Sequence, residues 1–314
     1  MSKAKLPEDI VEKIKKLEQK YAAMGQDMRS YLDGLLYADY LTYWDYVHLD
    51  TLLSLQNPKT SFRDEMIFIV YHQVTELFFR LILHAMEQIA DTHRIRVPEY
   101  VTQLRRINNY FEILVNSYDV MVKGMNQEEF LKFRMSLLPA SGFQSVQFRM
   151  IEICATNLDN LVALSKRGQL TAETSLEEKY QILYWKEGAT ELATGKKTLT
   201  LRQFDLKYRA ELLDLAEEYA TKNLWVRYNA FTPEEKENEE LITELRRLDY
   251  MANVAWPLSH YRAAVRYLQK DPADIAATGG TNWQKYLPPK YQKIIFFPNL
   301  WEDVEISDWG TKKV

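Results

Sequence analysis

The sequence predicts an all-α fold, a multi-helix bundle, on three observations. Glycine and proline number only ten each in 314 residues, and scarcity of turn-forming residues favours long helices over turn-rich sheets. Apolar residues recur at spacings of three and four through much of the chain, which gathers them on one helical face. Several of these stretches also open on residues suited to capping a helix.

Leu6 to Gly25 carries Ile10, Ile14, Leu17 and Tyr21 on one stripe and is read as an amphipathic helix. A tyrosine-rich segment, Tyr31 to Tyr46, follows, and then Leu49 to Gln56, closed by the turn signal Asn57-Pro58. Thr60 or Ser61 is the expected cap of the next helix, Arg63 to about Asp91, which is apolar on nearly all sides and therefore expected at the bundle centre. After Pro98 the alternation Leu104, Ile107, Phe111, Leu114, Tyr118, Met121 marks a helical seam. Asn126 and Glu129 resemble a capping box opening a helix from Gln127 to Leu138.

Pro139-Ala140-Ser141-Gly142 breaks the pattern, which resumes from Val146 to Leu164 around Met150, Cys154 and Leu158. Segment 165–198 is less regular, and Arg202 to Trp225 reads as a long helix. Thr232-Pro233-Glu234-Glu235 is a start signal for a final helix running to about Lys270, with Pro257 kinking it from within. Beyond Asp271 the periodicity dissolves until the apolar run Ile294 to Trp301. With no repeat, low-complexity tract or linker, residues 1–314 are expected to form a single domain.

A net charge of -4 supplies no overall positive field for phosphates, so nucleic acid is not an expected partner. The single cysteine, Cys154, excludes an intramolecular disulfide framework and any CxxC metal site, in keeping with a reducing cytoplasm. Charges run through the N-terminal twenty residues where an export signal needs an apolar stretch. The apolar runs at Met66 to Val70 and Leu77 to Leu83 are interrupted by His72, Glu76 and Arg80, and a soluble protein with no membrane partner is expected.

Of five histidines, His72 and His260 sit in strongly apolar helical context. A histidine there is more often a hydrogen-bonded core residue than a ligand, so the neighbourhood has to decide. Phe68 and His72 are four apart, one turn apart on the same face, and suit a planar aromatic ligand whose polar edge meets the imidazole. Phe130 and Arg134 repeat the spacing, and Arg134 is either a salt-bridged core residue or a bidentate clamp for a carboxylate. His260 follows Pro257 and is flanked by Trp256 and by Ala263 and Ala264, small residues that leave room for a flat macrocycle or mark close helix packing. Paired Glu-x-x-His motifs for a di-iron bundle are absent, as are HExxH, GxGxxG and a Walker loop.

The strings FRDEMIFIVYHQVTEL (62–77), FLKFRMSLLPASGFQSVQFRMIE (130–152), SHYRAAVR (259–266), ATGG (277–280) and FFPNLW (296–301) together resemble the tryptophan 2,3-dioxygenase family. That resemblance implies a helical fold with a heme pocket between helices, like the tryptophan and indoleamine dioxygenases. It further implies a homotetramer that binds heme b iron and takes O2 as co-substrate. Both oxygen atoms would enter across the indole C2–C3 bond of L-tryptophan to give N-formylkynurenine, a step of tryptophan catabolism by the kynurenine pathway.

Residue by residue, the resemblance makes His260 the axial iron ligand and His72 the catalytic distal histidine that hydrogen-bonds the indole N–H. Phe68 and Phe130 line the substrate pocket, Arg134 clamps the carboxylate, and Thr278 meets the ammonium and carboxylate groups. Ser141 and Gly142 form a turn beside the heme. Tyr43 and Tyr46, in YWDYVHLDTLL, reach a neighbouring subunit's pocket.

The chain departs from the family pattern at Phe130, where the family has a tyrosine whose hydroxyl supports the carboxylate, a bond worth about 0.5–1.5 kcal/mol. Arg63 replaces a histidine, Phe78 a tryptophan, and Thr281-Asn282-Trp283 a small serine- and glycine-rich loop. These changes leave two alternatives: a heme-dependent hydroxylase or monooxygenase of tyrosine or a substituted tryptophan, and a non-catalytic helical interaction protein.

Overall fold

The computed structural model describes residues 6–38, 42–137, 144–190, 196–268 and 288–311. The chain divides into two compact units, Met1–Gln56 and Asn57–Val314. Among the described residues the only β pairings are two isolated bridges, Val162 with Leu183 and Thr190 with Lys197. The fold is all-α, as expected.

The first unit holds α1 (Glu8–Ala23), α2 (Met28–Leu36), α3 (Tyr43–Tyr46) and α4 (Leu49–Leu53). Asp27 and Thr42 cap α2 and α3 by accepting backbone N–H bonds. Tyr21 and Tyr31 join α1 to α2 with ring centroids 4.7 Å apart. None of the described residues of this unit is buried.

The second unit is built on α5 (Glu65–Asp91) and α6 (Val97–Gly124), joined by a short connection that makes them antiparallel neighbours. All six residues of the anticipated α6 seam, Leu104 to Met121, are buried. At about 1.5–3 kcal/mol per large side chain, burial of this seam contributes substantially to the cohesion of the helices. Around the pair lie α7 (Gln127–Phe133), α8 (Val146–Ala155), α9 (Leu176–Gln181), α10 (Tyr184–Gly188), α11 (Leu199–Tyr219), α12 (Leu224–Asn229), α13 (Pro233–Lys236), α14 (Glu239–Tyr250) and α15 (Trp256–Leu268).

Several expected elements differ. Neither Thr60 nor Ser61 caps α5. Instead the buried Glu65 carboxylate reaches back to accept from the Lys59 and Thr60 N–H groups at 2.7 Å and from the Thr60 hydroxyl at 2.6 Å. Enclosure of α5 also fails within this chain, because Met66, Val70, Val74, Leu77 and Leu81 form an exposed apolar stripe. The helix after Asn126 becomes a 3-10 turn at Arg134–Leu137. The helix from Val146 stops at Ala155, and Asn223 caps a separate α12 where one continuous helix was expected.

The Thr232 capping box is present but opens a single turn, and Asn238 caps the longer α14. Between α14 and α15 the chain forms a π-turn, Met251–Ala255, immediately before Pro257. Proline has no N–H to give the carbonyl four residues back, and the wider turn accommodates that missing bond.

Asp249, at the end of α14, ties the C-terminal segment to this turn. Its carboxylate is fully buried and accepts from Asn253 Nδ2 (2.7 Å), Phe296 N (2.8 Å), Phe297 N (3.1 Å) and Trp301 Nε1 (2.9 Å). The apolar run beginning at Ile294 is thereby held with Phe296 and Phe297 fully buried. Asp249→Asn turns one acceptor into a donor and leaves two buried N–H groups unpaired, an expected loss of about 2–6 kcal/mol at about 1–3 each, measured by urea unfolding. Burial raises the Asp249 pKa from 3.8 to about 6 against the pull of its donors. A raised folded-state pKa means the native protein holds the proton more tightly, so the stability difference between wild type and Asp249→Asn is expected to shrink as pH rises from 4 to 6. A difference that grows over that range contradicts the assignment.

Candidate functional site

One wall of the site comes from α5. Helical periodicity puts Phe68 and His72 on the same face, with ring centroids 4.1 Å apart and planes 35° apart. His72 Nδ1 lies 2.7 Å from the Phe68 carbonyl oxygen. Because a carbonyl only accepts, Nδ1 carries the proton, and in the neutral ring Nε2 keeps its lone pair. Burial lowers the His72 pKa, opposed by the Phe68 hydrogen bond and the charge of Glu76. Glu76, one turn further along, is held by Gln147 of α8, whose Nε2 donates to its carbonyl oxygen at 2.9 Å and its carboxylate at 2.8 Å.

The second wall comes from α7. Phe130 lies 6.1 Å and Phe133 5.8 Å from Phe68, and the two are 5.5 Å from each other, nearly perpendicular. These edge and tilted contacts make an aromatic corner. Arg134 follows as the residue that ends α7, and it is buried. Burial lowers its pKa from the ordinary value, though an arginine remains charged.

The two walls are pinned together at their helix starts. The Asp64 N–H donates to Glu129 Oε2 at 3.0 Å, and the Asn126 N–H donates to Asp64 Oδ2. Each helix therefore receives its capping acid from the other, which places carboxylates at both positive helix ends. Asn126 caps α7 as expected, through the N–H groups of Glu128 and Glu129. Glu129, however, leaves the local box for α5.

His260 stands on α15, which packs on both α6 and α7. Tyr118 of α6 lies nearly parallel to its imidazole, at 18° with centroids 6.1 Å apart, and Trp256 lies 4.9 Å from Tyr118. Burial, with a smaller contribution from the charge of His72, lowers the His260 pKa to about 4. The His260 ring is neutral at pH 7. Both histidine rings are half-buried.

The donor set suits a heme. A neutral imidazole is available as axial ligand, and a second imidazole stands nearby on a different helix in aromatic surroundings. A cleft of about 460 Å³ lined by His84, Glu87, Asp91, Ile95 and Gln103 lies elsewhere and contains none of these residues.

The structure thus brings Phe68, His72 and Phe130 together, with Arg134 at the end of the helix that carries Phe130, and puts His260 in ring contact with Tyr118. Tyr43 and Tyr46 lie in the first unit and are exposed. Ser141, Gly142 and Thr278 lie outside the described residues, as does Trp283. Sequence reasoning did not single out Phe133, Tyr71 or Tyr118 as site residues. Tyr118 had a signal, being the one residue of the α6 seam with a polar tip.

The family model described as tryptophan 2,3-dioxygenase matches residues 35–240. A tryptophan 2,3-dioxygenase of Bordetella pertussis is 30% identical over 297 residues, covering 90% of this chain and 96% of the relative. An alignment over nine-tenths of the chain includes both His72 and His260 wherever it begins. Tryptophan 2,3-dioxygenases of Ruegeria sp. and Herpetosiphon aurantiacus are 38% and 40% identical over 122 and 144 residues. Those shorter matches cover 38% and 45% of this chain and 43% and 55% of the relatives.

Removing the shared cap tests how the walls are held. Asp64→Ala leaves the Asn126 N–H without its acceptor, and an expected stability loss of about 0.5–2 kcal/mol is measured by thermal unfolding. Amide exchange in the first turns of both α5 and α7 is expected to accelerate together; acceleration confined to α5 refutes a joint cap.

Proposed function

The chain belongs to the tryptophan 2,3-dioxygenase family, and from that premise we propose that it is a heme-dependent dioxygenase of L-tryptophan, working as a single helical domain in a homotetramer. Both atoms of O2 add across the indole C2–C3 double bond, which breaks to leave a ketone at C3 and a formyl group at C2, the product N-formylkynurenine of the kynurenine pathway. The single observation that carries the reading is the aromatic setting of the two histidines, His72 in ring contact with Phe68 on α5 and His260 of α15 stacked on Tyr118.

His260 would hold the iron of heme b, which when bound would supply the activation of O2. His72 stays neutral because it is buried, and its bare Nε2 accepts the indole N–H. This contact orients the substrate without asking the imidazole to be a strong base. Phe68 and Phe130 bear on the indole faces, and Phe133 backs them. Arg134 takes the substrate carboxylate in a fork of two parallel N–H bonds, and its burial strengthens that contact. Phe130 contributes surface but no hydroxyl, so more of the carboxylate recognition falls on Arg134. Thr278 completes the amino-acid end, and Ser141 and Gly142 the heme edge.

Self-association is supported by the exposed apolar residues. The α5 stripe from Met66 to Leu81 lies open in the single chain, as do Leu35, Leu36, Tyr37, Tyr43, Trp44 and Tyr46 of the first unit. In the tetramer Tyr43 and Tyr46 enter a neighbouring subunit's pocket. By length and composition α5 is also apolar enough to cross a membrane, contrary to the sequence expectation. Arg80 near its middle would cost about 2.5–3.5 kcal/mol there, and a subunit interface in a cytoplasmic enzyme accounts for the same stripe.

With reconstituted heme, reductant, O2 and L-tryptophan, the absorbance of N-formylkynurenine is expected to rise, whereas a hydroxylated aromatic amino acid as sole product rejects the dioxygenase reading. His260→Ala is expected to lose the wild-type Soret band on hemin titration. Arg134→Ala is expected to retain that band and to weaken tryptophan binding by about 2–5 kcal/mol. Unchanged binding removes Arg134 from the site.

A further inference from the structure

The ring of Tyr118 is nine-tenths buried, 9% exposed, at the junction of three helices. It lies 5.7 Å from Tyr71 on α5, 4.9 Å from Trp256 and 6.1 Å from His260 on α15, with only 18° between its plane and that of His260. Tyr71 in turn meets His72 edge-on at 5.7 Å and 88°. The two histidines are thus connected through Tyr71 and Tyr118 by an unbroken run of ring contacts.

His260 needs such support. A coordinating imidazole is ordinarily held in one rotation by a hydrogen bond to its second nitrogen. Among the described residues none hydrogen-bonds the His260 ring, and the aromatic contact is the restraint seen there. The helix beneath it is also weakened, since Pro257 gives no N–H to the preceding turn and the chain arrives through the π-turn Met251–Ala255. Contact between Tyr118 and Trp256 fixes the first turn of α15 at that point.

We propose that Tyr118 is a positioning residue that sets the rotation of the His260 ring and its offset from the α5 wall, an inference that rests on His260 being the heme ligand. The restraint is the flat face of the ring rather than its hydroxyl. Phenylalanine can therefore replace it, whereas an aliphatic residue of similar bulk fills the space without orienting the imidazole.

The test uses hemin-reconstituted full-length protein and two readouts other than turnover. One is the rate of hemin transfer to an acceptor globin; the other is the g-value spread of the ferric azide adduct, which reports the orientation of the axial imidazole plane. Tyr118→Phe is expected to keep the wild-type spectrum and release hemin within about twofold of the wild-type rate, while Tyr118→Leu shifts the spectrum and releases hemin roughly tenfold faster. A folded Tyr118→Leu protein with wild-type spectrum and release rate overturns the proposal, as does a Tyr118→Phe protein that behaves like the leucine variant. If the leucine variant does not fold, Tyr118→Met is read by the same two measurements and with the same two outcomes. His260→Ala separates the layers: a variant that keeps the wild-type heme spectrum brings down the ligand assignment and this inference together. Loss of that spectrum with no effect at Tyr118 brings down this inference alone.

Discussion

The helices that carry the two imidazoles, α5 and α15, both pack on α6. Its residues Leu104, Ile107, Phe111 and Leu114 are buried, and α6 packs against α5, which carries His72, and against α14 and α15, the last of which carries His260. Protein interiors are close-packed and yield little to strain, so helices held on a common seam keep their side chains at fixed separation. Everything proposed for the site depends on that rigidity. A heme ligand and a substrate-orienting base are useful together only if the space between them does not breathe.

Around that frame the polar groups are few and each has a defined task. Asp64 and Glu129 exchange caps so that α5 and α7 start from one point, which aligns Phe68 with Phe130. Asp249 gathers four donors from the π-turn and the C-terminal segment and so stabilises the approach to α15. Burial keeps both site histidines neutral. A protonated His72 would have no lone pair for an indole N–H, and a protonated His260 none for a metal, so the apolar surroundings are a condition of the proposed chemistry.

Much of this was legible from spacing. The six apolar positions of α6 follow a strict three-and-four alternation and are all buried, and the i, i+4 relation of Phe68 and His72 gives the ring contact it promises. What failed did so where tertiary context decides. Thr232 has every residue of a capping box, yet Asn238 restarts the helix six residues later, because a cap states where a helix can begin and not how far it runs. The apolar surround of α5 implied enclosure, but a pattern of apolar residues does not distinguish a core from a face left for another copy of the chain. The exchange between Asp64 and Glu129 spans 65 residues and had no local signal. Tyr118 was read as one more seam residue, since only the fold brings it against His260.

The central claim is that one heme lies between imidazoles supplied by α5 and α15. A crystal structure of the hemin-reconstituted protein tests it most directly. The account requires electron density for a porphyrin whose iron is bonded to His260 Nε2, with the His72 ring across the opposite face and its Nδ1 still donating to the Phe68 carbonyl. A porphyrin seated on any other residue, or two histidines on the same side of it, would contradict the account.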